Sequence, residues 1–202
     1  MRDRRNIDEV ATLAPDYMGF IFYRESPRYV GNDFDAAASL PAGITGVGVF
    51  VNESVELMLQ TLARNKLKWV QLHGQETPEV AQELKSKGIT VIKVFSVDED
   101  FDFDDATPYK KYADFFLFDT KGKLFGGNAR RWNWSKLKQY DQEKPFFLSG
   151  GIDAENIDEV ASLTGMNIHC IDINSGVEIT PAIKDRSKVE TIKRKIHDVL
   201  GA

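Results

Sequence analysis

Seven segments of the chain run almost unbroken through apolar and aromatic residues: Asp16–Tyr23, Ile44–Val51, Trp69–Leu72, Thr90–Val97, Phe115–Phe118, Pro145–Leu148 and Ile168–Ile173. Short apolar runs of this kind predict strands buried on both faces. The segments between them carry apolar residues at helical spacing. These are Asn6–Ala14, Asp33–Leu40, Ser54–Lys66, Thr77–Lys87, Trp134–Tyr140 and Ala154–Leu163, with Ser187–Leu200 closing the chain. In the first of them Ile7, Val10, Ala11 and Ala14 form the apolar face and Asp8 and Glu9 lie opposite. Asp98–Tyr112 is acidic and irregular, with room for a short helix near its end.

Strands that alternate with helices form a parallel sheet covered on its faces by helices, which leaves a doubly wound sheet or a (β/α)8 (TIM) barrel. The strand-to-strand repeat is about 25 residues, as a minimal barrel requires, and no G-x-G-x-x-G follows the first strand. The pattern therefore predicts the α/β barrel, with seven strands where closure needs eight. The chain opens on a helix, which leaves the count one strand short.

Length and composition narrow this further. The 202 residues suit a single domain spanning 1–202, and 42% hydrophobic with 28% charged residues is ordinary globular usage. A net charge of −5 argues against nucleic acid as the main partner. The one cysteine, Cys170, excludes an intrachain disulfide, and no Cys/His pair has zinc-ligand spacing, so no metal is expected and a cytoplasmic location fits. The start shows no signal-peptide core, and no run reaches the roughly 18 apolar residues of a membrane span.

Barrels of this type build their active sites at the C-terminal ends of the strands. Ser149-Gly150-Gly151 and Asp172-Ile173-Asn174-Ser175-Gly176 follow consecutive late strands. Two Gly/Ser-rich turns so placed offer backbone N–H groups to a phosphate, although glycine also serves simply to make tight turns. Arg28, in Ser26-Pro27-Arg28-Tyr29, suits bidentate pairing with an anion or plain solvation. Asp119 ends an apolar strand, where an ionised carboxylate is costly unless used or paired. Its role is a general acid with a raised pKa, or a cap. His73 shares strand parity with Gln71 and faces the interior, as ligand or as structural histidine, and Lys93 is also expected to point inward.

These motifs together resemble one family. Asp16-Tyr17-Met18-Gly19-Phe20-Ile21-Phe22-Tyr23 with Ser26-Pro27-Arg28-Tyr29-Val30, then Val47-Gly48-Val49-Phe50-Val51-Asn52, Val70-Gln71-Leu72-His73-Gly74, Leu117-Phe118-Asp119-Thr120, Phe147-Leu148-Ser149-Gly150-Gly151-Ile152 and Asp172-Ile173-Asn174-Ser175-Gly176-Val177-Glu178 resemble phosphoribosylanthranilate isomerase, in order and over essentially the whole chain. The resemblance implies an aldose–ketose type isomerase of tryptophan biosynthesis. Its reaction is the Amadori rearrangement of N-(5'-phosphoribosyl)anthranilate to 1-(2-carboxyphenylamino)-1-deoxyribulose 5-phosphate, without metal or organic cofactor. Asp119 matches the family's general acid and Arg28 the residue that holds the anthranilate carboxylate. Asp172 matches a substrate-contacting aspartate, His73 lines the same mouth, and Gly150, Gly151, Ser175 and Gly176 fall in the phosphate-gripping turns. The partner implied is a small phosphorylated substrate, on a monomer or homodimer.

The chain departs from the family twice. The family's general base is a cysteine in a Lys-x-Cys-Gly motif ending the first barrel strand, and this sequence begins just after that motif. The missing strand and the missing base are thus expected to be one absence of roughly seven to ten residues, about a strand's length. Such a chain is expected to have weak isomerase activity at best, or only to bind a phosphorylated sugar or anthranilate-like anion. Cys170 is expected to face the interior roughly 6 to 7 Å below the strand end, as a small apolar residue and no substitute base. The second departure is Gly126-Gly127-Asn128-Ala129-Arg130-Arg131-Trp132-Asn133-Trp134, where the family usually reads Gly-Gly-Thr-Gly and ends in Phe-Asp-Trp. Asn133 still suits a helix cap, whereas Ala129 restricts the backbone and implies drift or altered closure of that loop.

Overall fold

The computed structural model describes residues 1–120 and 132–200. Seven parallel strands form one curled sheet in chain order: β1 (Tyr17–Ile21), β2 (Thr45–Phe50), β3 (Trp69–Leu72), β4 (Thr90–Val97), β5 (Phe115–Thr120), β6 (Phe146–Leu148) and β7 (Ile168–Ile171). Helices α1 (Arg4–Ala11), α2 (Val55–Arg64), α3 (Pro78–Ser86) and α4 (Arg186–Leu200) lie outside it. The periodicity over Asp33–Leu40, Trp134–Tyr140 and Ala154–Leu163 gives 3₁₀ turns at Ala36–Ser39, Trp134–Gln139 and Ile157–Leu163, and another spans Phe103–Tyr109 in the acidic segment. A hairpin not foreseen from the pattern, β8 (Glu178–Thr180) with β9 (Ile183–Lys184), follows a 3₁₀ turn at Ser175–Val177.

Local chemistry sets the helix boundaries. Asp3 accepts from the Asn6 N–H at 2.8 Å and Ser54 from the Leu57 N–H, capping α1 and α2, while Pro78 opens α3. Asn133 caps the turn at Trp134 by accepting from the Ser135 N–H. The rest of the departing loop, through Arg131, lies outside the described residues.

Strand alternation divides the core in two. Val47, Ile92, Val94, Leu117 and Phe147 fill the barrel interior. Phe50, Leu72, Phe116 and Phe118 point outward to meet Met58, Leu62 and Leu84 of the helices. Each such side chain stabilises the fold by about 1.5–3 kcal/mol when fully buried. Lys93 belongs to the outer set, contrary to the inward expectation. It lies between Leu72 and Phe116 in register, so the period of two that sends Ile92 and Val94 inward sends Lys93 toward α3. There its ammonium donates to Glu76 at 2.9 Å and to the Gly74 carbonyl at 2.7 Å.

The sheet does not close. Among the described residues β1 and β7 are its two edges and share no ladder. At the lower rim the Tyr17 hydroxyl meets His169 Nε2 at 2.7 Å, and the Tyr17 ring packs on Phe147. Above them a gap remains, in which the Met1 amine donates to the Gly19 carbonyl of β1 at 3.0 Å.

Candidate active site

A cavity of about 880 Å³ opens at the C-terminal ends of the strands and continues into the gap between β1 and β7. Into it the alternation of β3, β5 and β7 sends Gln71 and His73, Asp119, and Cys170 and Asp172. His73 Nδ1 lies 3.0 Å from the Gln71 side-chain oxygen, which orients the ring, and its Nε2 lies 3.5 Å from Asp119 Oδ2. The buried Asp119 accepts from the Thr120 N–H at 2.8 Å with its other oxygen. Asp172 is half-buried in the same cavity. Burial and the nearby Asp119 charge push its carboxyl above the usual carboxylate range, and Ser149, Lys184 and His73 oppose that shift only in part.

The two glycine-rich turns meet beside Asp119 and Asp172. The sheet ladder runs past the strand ends, with Ser149 N–H donating to Phe118 and Asp172 N–H to Leu148. Gly150 and Gly151 then take φ values of +100° and +70°, the left-handed region that favours glycine. Asn156 donates to the Gly151 carbonyl at 2.7 Å and braces the turn. A Cβ on Gly176 would sit 2.3 Å from the Ile152 carbonyl oxygen, so the second turn packs on the first only because residue 176 is glycine. The N–H groups of Gly150, Gly151, Ser175 and Gly176 donate to no other described residue. Glycine therefore makes the tight turns here and also leaves four backbone donors free for an anion.

Arg28 stands apart from the cavity wall. Its Nε donates to both Glu178 oxygens at 2.9 and 3.1 Å, and its Nη2 to one of them at 2.6 Å. Lys184, which lines the cavity, also reaches Glu178 at 3.1 Å and donates to the Asn174 carbonyl at 2.9 Å. Burial works against the ionised Glu178 carboxyl, but Arg28 and Lys184 outweigh it and hold its pKa below the ordinary value. Sequence reasoning assigned Glu178 and Lys184 no role. Their signal was the charged Val177-Glu178 step directly after the phosphate-type turn.

Cys170 faces the cavity below Asp172, as its parity predicts. Burial pushes its thiol up to about 12. It is therefore a protonated thiol at neutral pH, with none of the basicity that proton abstraction needs.

The N-(5'-phosphoribosyl)anthranilate isomerase family model matches residues 1–195. The chain belongs to the N-(5'-phosphoribosyl)anthranilate isomerase family. An N-(5'-phosphoribosyl)anthranilate isomerase of Parabacteroides distasonis is 40% identical over 199 residues, covering 97% of this chain and 90% of that one. One from Phocaeicola vulgatus is 40% identical over 200 residues, covering 97% and 96%. Among solved structures, phosphoribosyl anthranilate isomerase from Thermotoga maritima superposes with a TM-score of 0.82 at 27% identity, covering 98% of this chain and 96% of that chain. A phosphoribosyl anthranilate isomerase in complex with reduced 1-(o-carboxyphenylamino)-1-deoxyribulose 5-phosphate gives 0.80 at 26% identity, covering 98% and 95%. The family is built on the (β/α)8 barrel, and this chain supplies seven of its strands.

Proposed function

We propose that this chain carries the binding and acid half of the isomerase site for N-(5'-phosphoribosyl)anthranilate. The observation that carries this reading is a single cavity lined by Asp119, His73, Asp172 and two turns whose four backbone donors have no partner among the described residues. The phosphate of the substrate takes the N–H groups of Gly150, Gly151, Ser175 and Gly176. Charge-assisted bonds of this kind are worth about 1.5–3 kcal/mol each. The family's motif assigns Arg28, directly behind the cavity wall, to the anthranilate carboxylate. That arrangement sets the ribose across the cavity, where Asp119 protonates the furanose ring oxygen as the ring opens to the Schiff base, with His73 Nε2 3.5 Å away. Asp172, whose carboxyl burial pushes above the usual carboxylate range, contacts the substrate from the same cavity.

The C2' proton must then leave to give the enolamine. Cys170 is a protonated thiol and the 202 residues hold no other cysteine, and the gap between β1 and β7 is where a strand bearing the family's Lys-x-Cys-Gly motif would fit. Without that strand the 202 residues bind but scarcely turn over. The second reading, a barrel that only binds a phosphorylated sugar or anthranilate-like anion, is favoured by the same open edge.

Formation of the carboxyphenylamino-deoxyribulose phosphate, followed together with binding of its reduced analogue, tests the assignment. The analogue is expected to bind the 202-residue chain and to protect it from unfolding. Absence of binding overturns the isomerase reading.

A further inference from the structure

Glu178 lies outside the cavity wall, yet it contacts both cationic groups beside it. Its side chain is 6% exposed and that of Arg28 is 11% exposed, so the pair is fixed directly behind the wall that Lys184 lines, unlike a surface contact. The carboxylate is itself pinned by the Ala182 N–H at 2.9 Å and by Lys184 at 3.1 Å. Lys184 is fixed in turn, since its backbone N–H and carbonyl exchange bonds of 2.8 Å with the Asn6 amide of α1.

A guanidinium has five N–H donors in one plane. Glu178 takes the Nε–H and one Nη2–H, and the Nη1 hydrogens have no described partner. The Nη1/Nη2 end is therefore the only fork left for a second carboxylate. We propose that Glu178 is a positioning residue for the substrate carboxylate, holding the Arg28 plane so that this end alone receives it. Through Lys184 and the Asn174 carbonyl, the same carboxylate ties Arg28 to the Ser175–Gly176 turn, so the two charged ends of the ligand are held at one spacing. This inference rests on the isomerase reading above.

The test compares two ligands on two proteins. The ligands are reduced 1-(o-carboxyphenylamino)-1-deoxyribulose 5-phosphate and its counterpart without the ring carboxyl; the proteins are the wild type and Glu178→Gln. Wild type is expected to prefer the carboxylated ligand by at least about tenfold, the scale of one good charge-assisted fork. In Glu178→Gln the preference is expected to collapse toward unity, while affinity for the carboxyl-free ligand stays within about twofold. Equal weakening of both ligands indicates a structural role only and overturns the inference. So does a preference that holds or rises, because removing the Glu178 charge then simply strengthens attraction to Arg28. Isotope-edited NMR of wild type gives a reading independent of the variant's folding: the Arg28 Nε–H is expected to be protected from solvent exchange, and rapid exchange overturns the pairing. Binding of neither ligand to wild type, with a protected Nε–H, overturns the isomerase reading and leaves Glu178 as a structural anchor.

Discussion

Replacing Gly150 by alanine tests how the Ser149–Gly151 turn is built. At φ +100° an alanine is in a sparsely populated backbone region, at a cost of about 1–3 kcal/mol. Its Cβ would also meet Thr120 Oγ1 at 2.4 Å, the Thr120 backbone nitrogen at 2.8 Å and Trp132 Cδ1 at 3.0 Å. The hydroxyl can turn aside, but the backbone nitrogen belongs to β5 and cannot, which adds overpacking of about 1–3 kcal/mol. The stiffer unfolded chain returns roughly 0.4–1 kcal/mol. The net expectation is a loss of about 1–5.6 kcal/mol, a large part of the 5–15 kcal/mol or so that holds a domain together. Gly165 is the internal control: its φ is +90° and nothing lies within 4 Å of its Cβ position, so Gly165→Ala carries the backbone cost alone. Urea unfolding of both variants gives the two values. Equal losses, or a loss below about 1 kcal/mol at Gly150, refute the claim that β5 crowds the turn.

Three further outcomes follow from the site and its supports. Asp119→Asn is expected to lower isomerase turnover by about 10²–10⁴-fold in a catalytically complete form while leaving analogue affinity nearly unchanged; unchanged turnover removes Asp119 as the acid. Cys170, with its thiol near 12, is expected to react with iodoacetamide at pH 8 on the order of a thousandfold more slowly than a free cysteine, with the rate rising about tenfold per pH unit toward 11. Prompt alkylation of the folded protein contradicts the raised thiol pKa. Glu76→Gln, which leaves the buried Lys93 ammonium uncompensated, is expected to cost about 3–5 kcal/mol, and Lys93→Met in the same chain to restore most of it. Because burial lowers the Lys93 pKa, the unfolded chain binds the extra proton between the folded value and 10.5, so stability of Glu76→Gln rises with pH across that window. A flat profile there refutes the assignment.

The strand order and the two-sided burial were legible because apolar runs such as Val91–Phe95 and Phe115–Phe118 carry that information locally. The site was legible in kind for the same reason. Once β3, β5 and β7 are placed, a period of two delivers His73, Asp119 and Asp172 to one mouth, and the Gly-rich turns follow from their position after late strands. Three features were not local. Lys93 reads as an inward charge until register fixes its row, because a lysine in an apolar strand is costly on either face and only its partner Glu76 decides which. Arg28 reads as an open anion receptor, but Glu178 is 150 positions away and already holds one edge of its guanidinium. The β8–β9 hairpin that places Glu178 and Lys184 is too short for periodicity to register.

The most direct test is turnover of N-(5'-phosphoribosyl)anthranilate by three proteins: the 202-residue chain, the chain extended at its N-terminus by one strand carrying Lys-x-Cys-Gly, and the same extension with alanine in place of that cysteine. The expected result is turnover in the cysteine-bearing form alone, with the reduced product analogue bound by all three. Equal turnover by the 202-residue chain, or none after the strand is supplied, contradicts the assignment of the β1–β7 gap as the seat of the missing base.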